Sequence, residues 1–229
     1  MTSLLLLGFI IGMRHALEAD HVAAVAALVS DKTSARETAR HGALWGLGHT
    51  LTLFLLGGTV LVLNIALPEQ ISLGLEFCVG VLQVLLGLDV LRRARRIGLR
   101  IRPHQHGGHA HIHAVRGLTP LHHHHRRPMP LRALLVGMMH GMAGSAALVM
   151  LTVETVRAPL QGLLYIVLFG LGSTLGMLLL AAVISLPIKY SARWNLAFVS
   201  LQCLVGLTSV AVGGWMMYEI GWAGGLLAG

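Results

Sequence analysis

The sequence predicts an all-α, polytopic integral membrane protein with six transmembrane helices in two inverted three-helix repeats. Composition is the first reason. Hydrophobic residues make up 55% of the 229 and charged residues only 11%, where soluble domains carry about 25% charged residues. Mean hydropathy is +0.74. Spacing is the second reason: the chain has room for six apolar runs and one long polar segment, at about 20 residues per crossing. The third is a motif series that returns. Gly12-Met13-Arg14-His15 reappears as Gly137-Met138-Met139-His140, Gly46-Leu47-Gly48-His49-Thr50-Leu51 as Gly170-Leu171-Gly172-Ser173-Thr174-Leu175, and Val79-Gly80 as Val205-Gly206, at offsets of 125, 124 and 126. An odd number of helices per repeat turns the second copy over in the membrane, an arrangement whose binding sites lie near the midplane between repeats.

The first helix is expected over residues 3–29. Its apolar flanks, Leu4 to Met13 and Val22 to Val29, enclose Arg14-His15-Ala16-Leu17-Glu18-Ala19-Asp20-His21. A charge at a helix centre costs about 2.5–3.5 kcal/mol on insertion scales. Arg14, Glu18 and Asp20 unpaired would cost roughly 8–10 kcal/mol together, so such a cluster marks a functional site by default. The N-terminus lacks a basic stretch ahead of this run, so it does not read as a cleavable signal. Helices are further expected over 41–65, 71–91, 132–155, 160–187 and 195–219, with Pro68, Pro159 and Pro187 at or near their ends. Residues 1–91 form the first repeat, 92–131 a polar loop and 132–229 the second repeat. Gly42 and Gly46, Gly137 and Gly141, and Gly172 and Gly176 each make a small-xxx-small face for close helix approach. Cys78 and Cys203 lie in apolar runs and are expected to be free thiols.

Charge sets the orientation. Lys32, Arg36 and Arg40, the ten arginines from Arg92 to Arg132, and Lys189 and Arg193 all fall on one side; Arg157 alone falls on the other. The positive-inside rule then places both termini outside and the long loop in the cytoplasm of a plasma (inner) membrane. The net charge of +8 is explained by that loop, so no nucleic-acid partner is expected.

His15, Asp20 and His21 form an H-x4-D-H pattern, and imidazole plus carboxylate suits a borderline divalent metal such as Ni, Co or Zn. A regular helix cannot aim all three at one ion. At about 100° per residue, Asp20 lies about 140° and His21 about 240° from His15. Glu18 shares a face with both histidines. Either the first helix is distorted between Arg14 and His21, or a carboxylate stands behind the histidines and orients them. His49, deep in the second helix, and His140, at the repeat position of His15, join His15, Glu18, Asp20 and His21 as metal candidates. Thr50, Ser145, Ser173 and Thr174 line a path or bond neighbouring helices; Glu76 and Asp89 are lesser candidates, Asp89 pairing with Arg92 or Arg93. The loop adds His104, His106, His109, His111, His113, His122, His123, His124 and His125, a tract type that chelates late-row metals. Its arginines suit anionic lipid headgroups.

The stretch from Arg14 to His21 resembles the signature of the nickel/cobalt transporter family, in which H-x4-D-H sits in a membrane helix and is needed for uptake. Leu47-Gly48-His49-Thr50 resembles that family's second motif. The resemblance implies that His15, Asp20, His21 and His49 select and bind the metal. The family often has Asp where this chain has Glu18. Its acidic third motif is replaced by Gly137 to Ser145, a run similar to the short urease-accessory-type members. The expected activity is transport of Ni2+ or Co2+ as substrate ion, by uptake. Export, and metal sensing or urease-accessory service without transport, are the alternatives. Neither H-E-x-x-H nor clustered histidine boxes occur, so an enzyme is not expected. No organic cofactor is expected. The partners expected are metal ions, membrane lipid, and further copies of the chain or urease and hydrogenase maturation proteins.

Overall fold

In the computed structural model, residues 2–32, 34–63, 68–98, 104–106, 109–111, 131–155, 159–191 and 194–226 are described. They form α1 (Thr2–His15), α2 (Ala19–Val29), α3 (Ala35–Leu63), α4 (Glu69–Gly98), strands β1 (His104–His106) and β2 (His109–His111), α5 (Leu131–Thr155), α6 (Pro159–Ser191) and α7 (Asn195–Tyr218). A π-helical turn, Glu219–Ala223, extends α7. The protein is a helical membrane protein: α3, α4, α6 and α7 are each long and apolar enough to cross a membrane, and shorter apolar helices accompany them.

The helix expected over 3–29 is two helices. After His15 the chain closes two tight turns, Leu17 N to Arg14 O at 2.9 Å and Glu18 N to His15 O at 3.1 Å. Glu18 is extended (φ −65°, ψ 148°) and its carbonyl accepts the Val22 N–H to start α2. No proline or glycine stands at residues 15–21. The break follows from the polar side chains, which an unbroken helix would send to different faces.

Pro187 is a second departure. It lies inside α6 rather than at its end. Its missing N–H leaves only the Val183 carbonyl without its helical donor, near the end of the helix. Pro68 and Pro159 sit at helix starts, and the Pro68 carbonyl accepts from Ile71 and Ser72. Inside the polar segment, β1 and β2 pair antiparallel with His104 opposite His111 and His106 opposite His109, a short exception to the all-helical expectation. His113 and His122 to His125 lie outside the described residues.

Packing is by close backbone approach. α3 lies against both α5 and α6, α1 against α6, and α4 against α7. A Cβ on Gly12 would strike the Phe169 carbonyl, and one on Gly137 the Trp45 carbonyl. Gly48 likewise meets Leu134 O, and Gly172 meets Phe9 O. Gly80 faces Gly213, and Gly87 faces Gly206. Side-chain bonds cross the same seams: Thr50 Oγ1 to Thr174 Oγ1 at 2.9 Å, and Gln83 Nε2 to Ser209 Oγ at 3.0 Å. The main core gathers Ala24, Val25 and Leu28 of α2, Leu86 and Val90 of α4, Ala133 and Val136 of α5, and Met177 and Ile188 of α6. Cys78 and Cys203 are free.

Candidate metal centre

The break between α1 and α2 brings His15 and His21 together, with ring centroids 4.3 Å apart. Both rings face His49 of α3, at 5.3 Å each. One ring nitrogen from each of these three histidines lies within 4.8 Å of the other two. Glu18, Asp20 and His21 make a second donor group within the same span, so His21 belongs to both. His140 of α5 stands 5.4 Å from the His21 ring.

The hydrogen bonds assign the ring protons. His21 Nδ1 donates to Asp20 Oδ1 at 2.9 Å and His140 Nδ1 to the Val136 carbonyl at 3.1 Å, while His15 Nδ1 lies 2.9 Å from Glu18 Oε1 as an ion-pair contact. Carboxylates and carbonyls only accept, so the Nδ1 of His21 and of His140 carries the hydrogen and a neutral ring leaves Nε2 with a free lone pair. The Nε2 atoms of His21 and His140, and both ring nitrogens of His49, are buried without a hydrogen-bond partner. An unsatisfied buried polar atom costs about 1–3 kcal/mol. Several in one place, with rings fixed by a second hydrogen bond, match the way metal-ligating histidines are held. The donor set therefore fits a divalent ion of the nickel–cobalt–zinc range. Asp20 is placed behind the His21 ring, and Glu18 behind the His15 ring.

Trp45 was not singled out from the sequence. Its indole is fully buried 5.4 Å from His21, 6.5 Å from His49 and 5.5 Å from His140, and Nε1 has no partner. The available signal was its place four residues before His49, on the same helix face. Phe169 packs on His15 at 5.3 Å.

A cavity of about 840 Å³ reaches the cluster, lined by His15, Glu18, Asp20, His21 and His140 on one side and by Glu76, Val79, Tyr165, Phe169 and Trp215 around it. Glu76 thus joins the site, held by Ser72 Oγ at 3.4 Å. Asp89 does not. It pairs with Arg93 and Arg132 at the far end of α4. Thr50 bonds Thr174 and the Gly170 carbonyl, a helix–helix contact, and Ser173 lies buried near the Met177 sulfur. Arg14 is exposed and makes no ion pair among the described residues; the carboxylates pair with histidines instead. The side chain of Ser145 lies outside the described residues.

Over 226 residues, 99% of this chain and 95% of the relative, the sequence is 34% identical to the urease accessory protein UreH of Bacillus sp. (strain TB-90). No family model matches the chain. No solved structure matches it.

Proposed function

The chain belongs to the nickel/cobalt transporter family, beside UreH-type urease accessory proteins, and from that premise we propose that it carries Ni2+ or Co2+ into the cell across a plasma membrane. The carrying observation is the set of imidazole nitrogens, buried and without hydrogen-bond partners, gathered where a membrane helix breaks. The ion is the substrate. It exchanges hydration water for His15, His21 and His49, with His140 as a fourth nitrogen nearby. Asp20 and Glu18 orient the rings and offset the ion's charge.

In this reading α1 and α2 together make one crossing, so that with α3 to α7 there are six. The glycine contacts support an inverted repeat, because they come in reciprocal pairs. Gly12 on Phe169 and Gly137 on Trp45 are one contact in two copies: Gly12 and Gly137 differ by 125 positions, Trp45 and Phe169 by 124. Gly48 on Leu134 and Gly172 on Phe9 repeat the pattern. Thr50 with Thr174 and Gln83 with Ser209 pair a position with its own equivalent, as contacts on a two-fold axis do. The lysine and arginine distribution puts both termini outside and the histidine-rich loop inside. The cavity, lined by the first half of α4 and the second half of α7, then faces outward.

Two other readings rest on particular features. The histidine tract suits collection of cytosolic metal for export, and the relative's name suits delivery to urease maturation proteins without transport. Flux into proteoliposomes, measured for Ni, Co, Zn and Mn, tests the proposal. Wild type should pass Ni or Co, and His15→Ala and His21→Ala should abolish the flux. Equal transport by both variants would place the site elsewhere. Nickel binding without flux would favour the accessory reading, and loss of metal from cells expressing the protein would favour export.

A further inference from the structure

At the end of the molecule away from the cavity, one arginine ties several elements together. Arg93, in the last turns of α4, places Nη1 2.7 Å from Asp31 Oδ2 and Nη2 3.4 Å from Asp89 Oδ2. Its Nη2 also donates to the Ala27 carbonyl at 3.3 Å. Ala27 lies in the last turn of α2, where main-chain carbonyls lack helical donors. Asp89 accepts from Arg132 of α5 at 2.8 Å. Lys32 bridges Asp31 and Glu37 of α3 at 3.2 and 3.4 Å. From α7, Gln202 donates to the Ser30 carbonyl at 3.4 Å. The C-terminal end of α2 is thus held from α4 and α7, and through Lys32 from α3.

The segment between this clamp and the metal centre is dry. His21 to Ala27 spans about 9 Å of helix. Over that length Ala24, Val25 and Leu28 pack against Leu86, Val90 and Val136, all buried. An ion leaving the histidines away from the cavity must part this layer. α2 is suited to do so. It is eleven residues long, and the helix is interrupted at residues 16–18 and again at 30–32. It carries Asp20 and His21 in its first turn and Asp31 just past its last. As one rigid rod it links the ion's ligands to the clamp.

We propose that α2 is the moving gate of the transporter and that Arg93 is the latch holding its closed side. The inference rests on the transport reading. Closure is the Arg93–Asp31–Ala27 arrangement; opening swings the C-terminal end of α2 off α4 and exposes the Val25–Leu28 layer to the loop side. Hinge elements at segment ends are a recurring route to alternating access. Arg93 is a positioning residue here, acting on the ion only through α2.

The test places a cysteine at Val25→Cys, with Cys78→Ser and Cys203→Ser, and measures alkylation by an impermeant maleimide applied from the loop side of oriented proteoliposomes. Arg93→Gln should raise the rate about tenfold, as loss of a charge-assisted pairing that biases a two-state element predicts. Should Arg93→Gln not be recovered folded, Asp31→Asn removes only the outer partner and reads the same effect. Unchanged labelling in folded Arg93→Gln and Asp31→Asn overturns the latch. Parent protein that passes no metal overturns the transport reading instead, whatever the labelling shows.

Discussion

His21 is the residue on which the site turns. It belongs to both donor groups, its Nδ1 is committed to Asp20, and its Nε2 is buried without a partner. Asp20 therefore acts through the ring, fixing its tautomer. Asp20→Asn keeps an acceptor beside Nδ1 but removes the charge, and should weaken nickel binding about 10–100-fold. Isothermal titration in detergent reads this directly; binding within threefold of wild type would mean that Asp20 has no such role. The polar half of the site was legible in the sequence because ionisable groups at membrane depth have few bland explanations. Trp45 was not, because a tryptophan in an apolar helix looks like core until three histidines are found around it. Glu76 was visible only as a lesser candidate. Nothing in its own helix shows that α4 lines the cavity.

At the scale of elements, the angles left two readings, a distorted first helix or a carboxylate behind the histidines, because His15, Asp20 and His21 on a regular helix do not face one point; the helix is broken and Asp20 also stands behind the His21 ring. Where the chain would turn was not legible, since no glycine or proline marks residues 16–18. Pro187 misled in the opposite sense. A proline near a helix end breaks little when only one carbonyl loses its donor. The small-xxx-small glycines do bring α3, α5 and α6 together, and they give a sharp comparison. Gly12→Ala puts a methyl into the Phe169 carbonyl, an atom that moves only with its helix. It should lower the thermal midpoint of the detergent-solubilised protein by several degrees or prevent its recovery. Gly74→Ala meets nothing within 4 Å and gains about 0.5–1 kcal/mol of helix propensity, so its midpoint should hold or rise. Equal loss in both would mean that the tight contacts do not set stability.

At the scale of the whole molecule, a cavity on one side of the histidines and a dry, clamped layer on the other fit one end state of the proposed transport cycle. The clamp stays charged through the physiological range. Burial raises the Asp31 carboxyl, but Arg93 and Lys32 beside it outweigh burial and hold it below its ordinary value. A lowered folded-state value means the pairing stabilises the fold above the unfolded value and is lost only as pH falls through the folded one. With Glu37, Asp89 and Arg132 as the remaining charged neighbours, the Val25→Cys labelling rate of the latched protein, divided by that of a free thiol at the same pH to remove the thiolate fraction, should stay flat from about pH 8 to 5. The expected orientation rests on the lysines and arginines alone; of the clamp, the Asp89–Arg93 pair was legible from its one-turn spacing, whereas Asp31 looks like a solvated loop charge until the fold joins it to Arg93, 62 positions on.

The central claim is that three imidazoles brought together by the helix break hold one divalent ion. X-ray absorption at the nickel edge, on protein loaded with one equivalent, tests it most directly. Wild-type protein should show scattering from three or more imidazole rings per nickel, falling by one ring in His21→Ala. A spectrum of oxygen donors alone, or one that His21→Ala leaves unchanged, would contradict it.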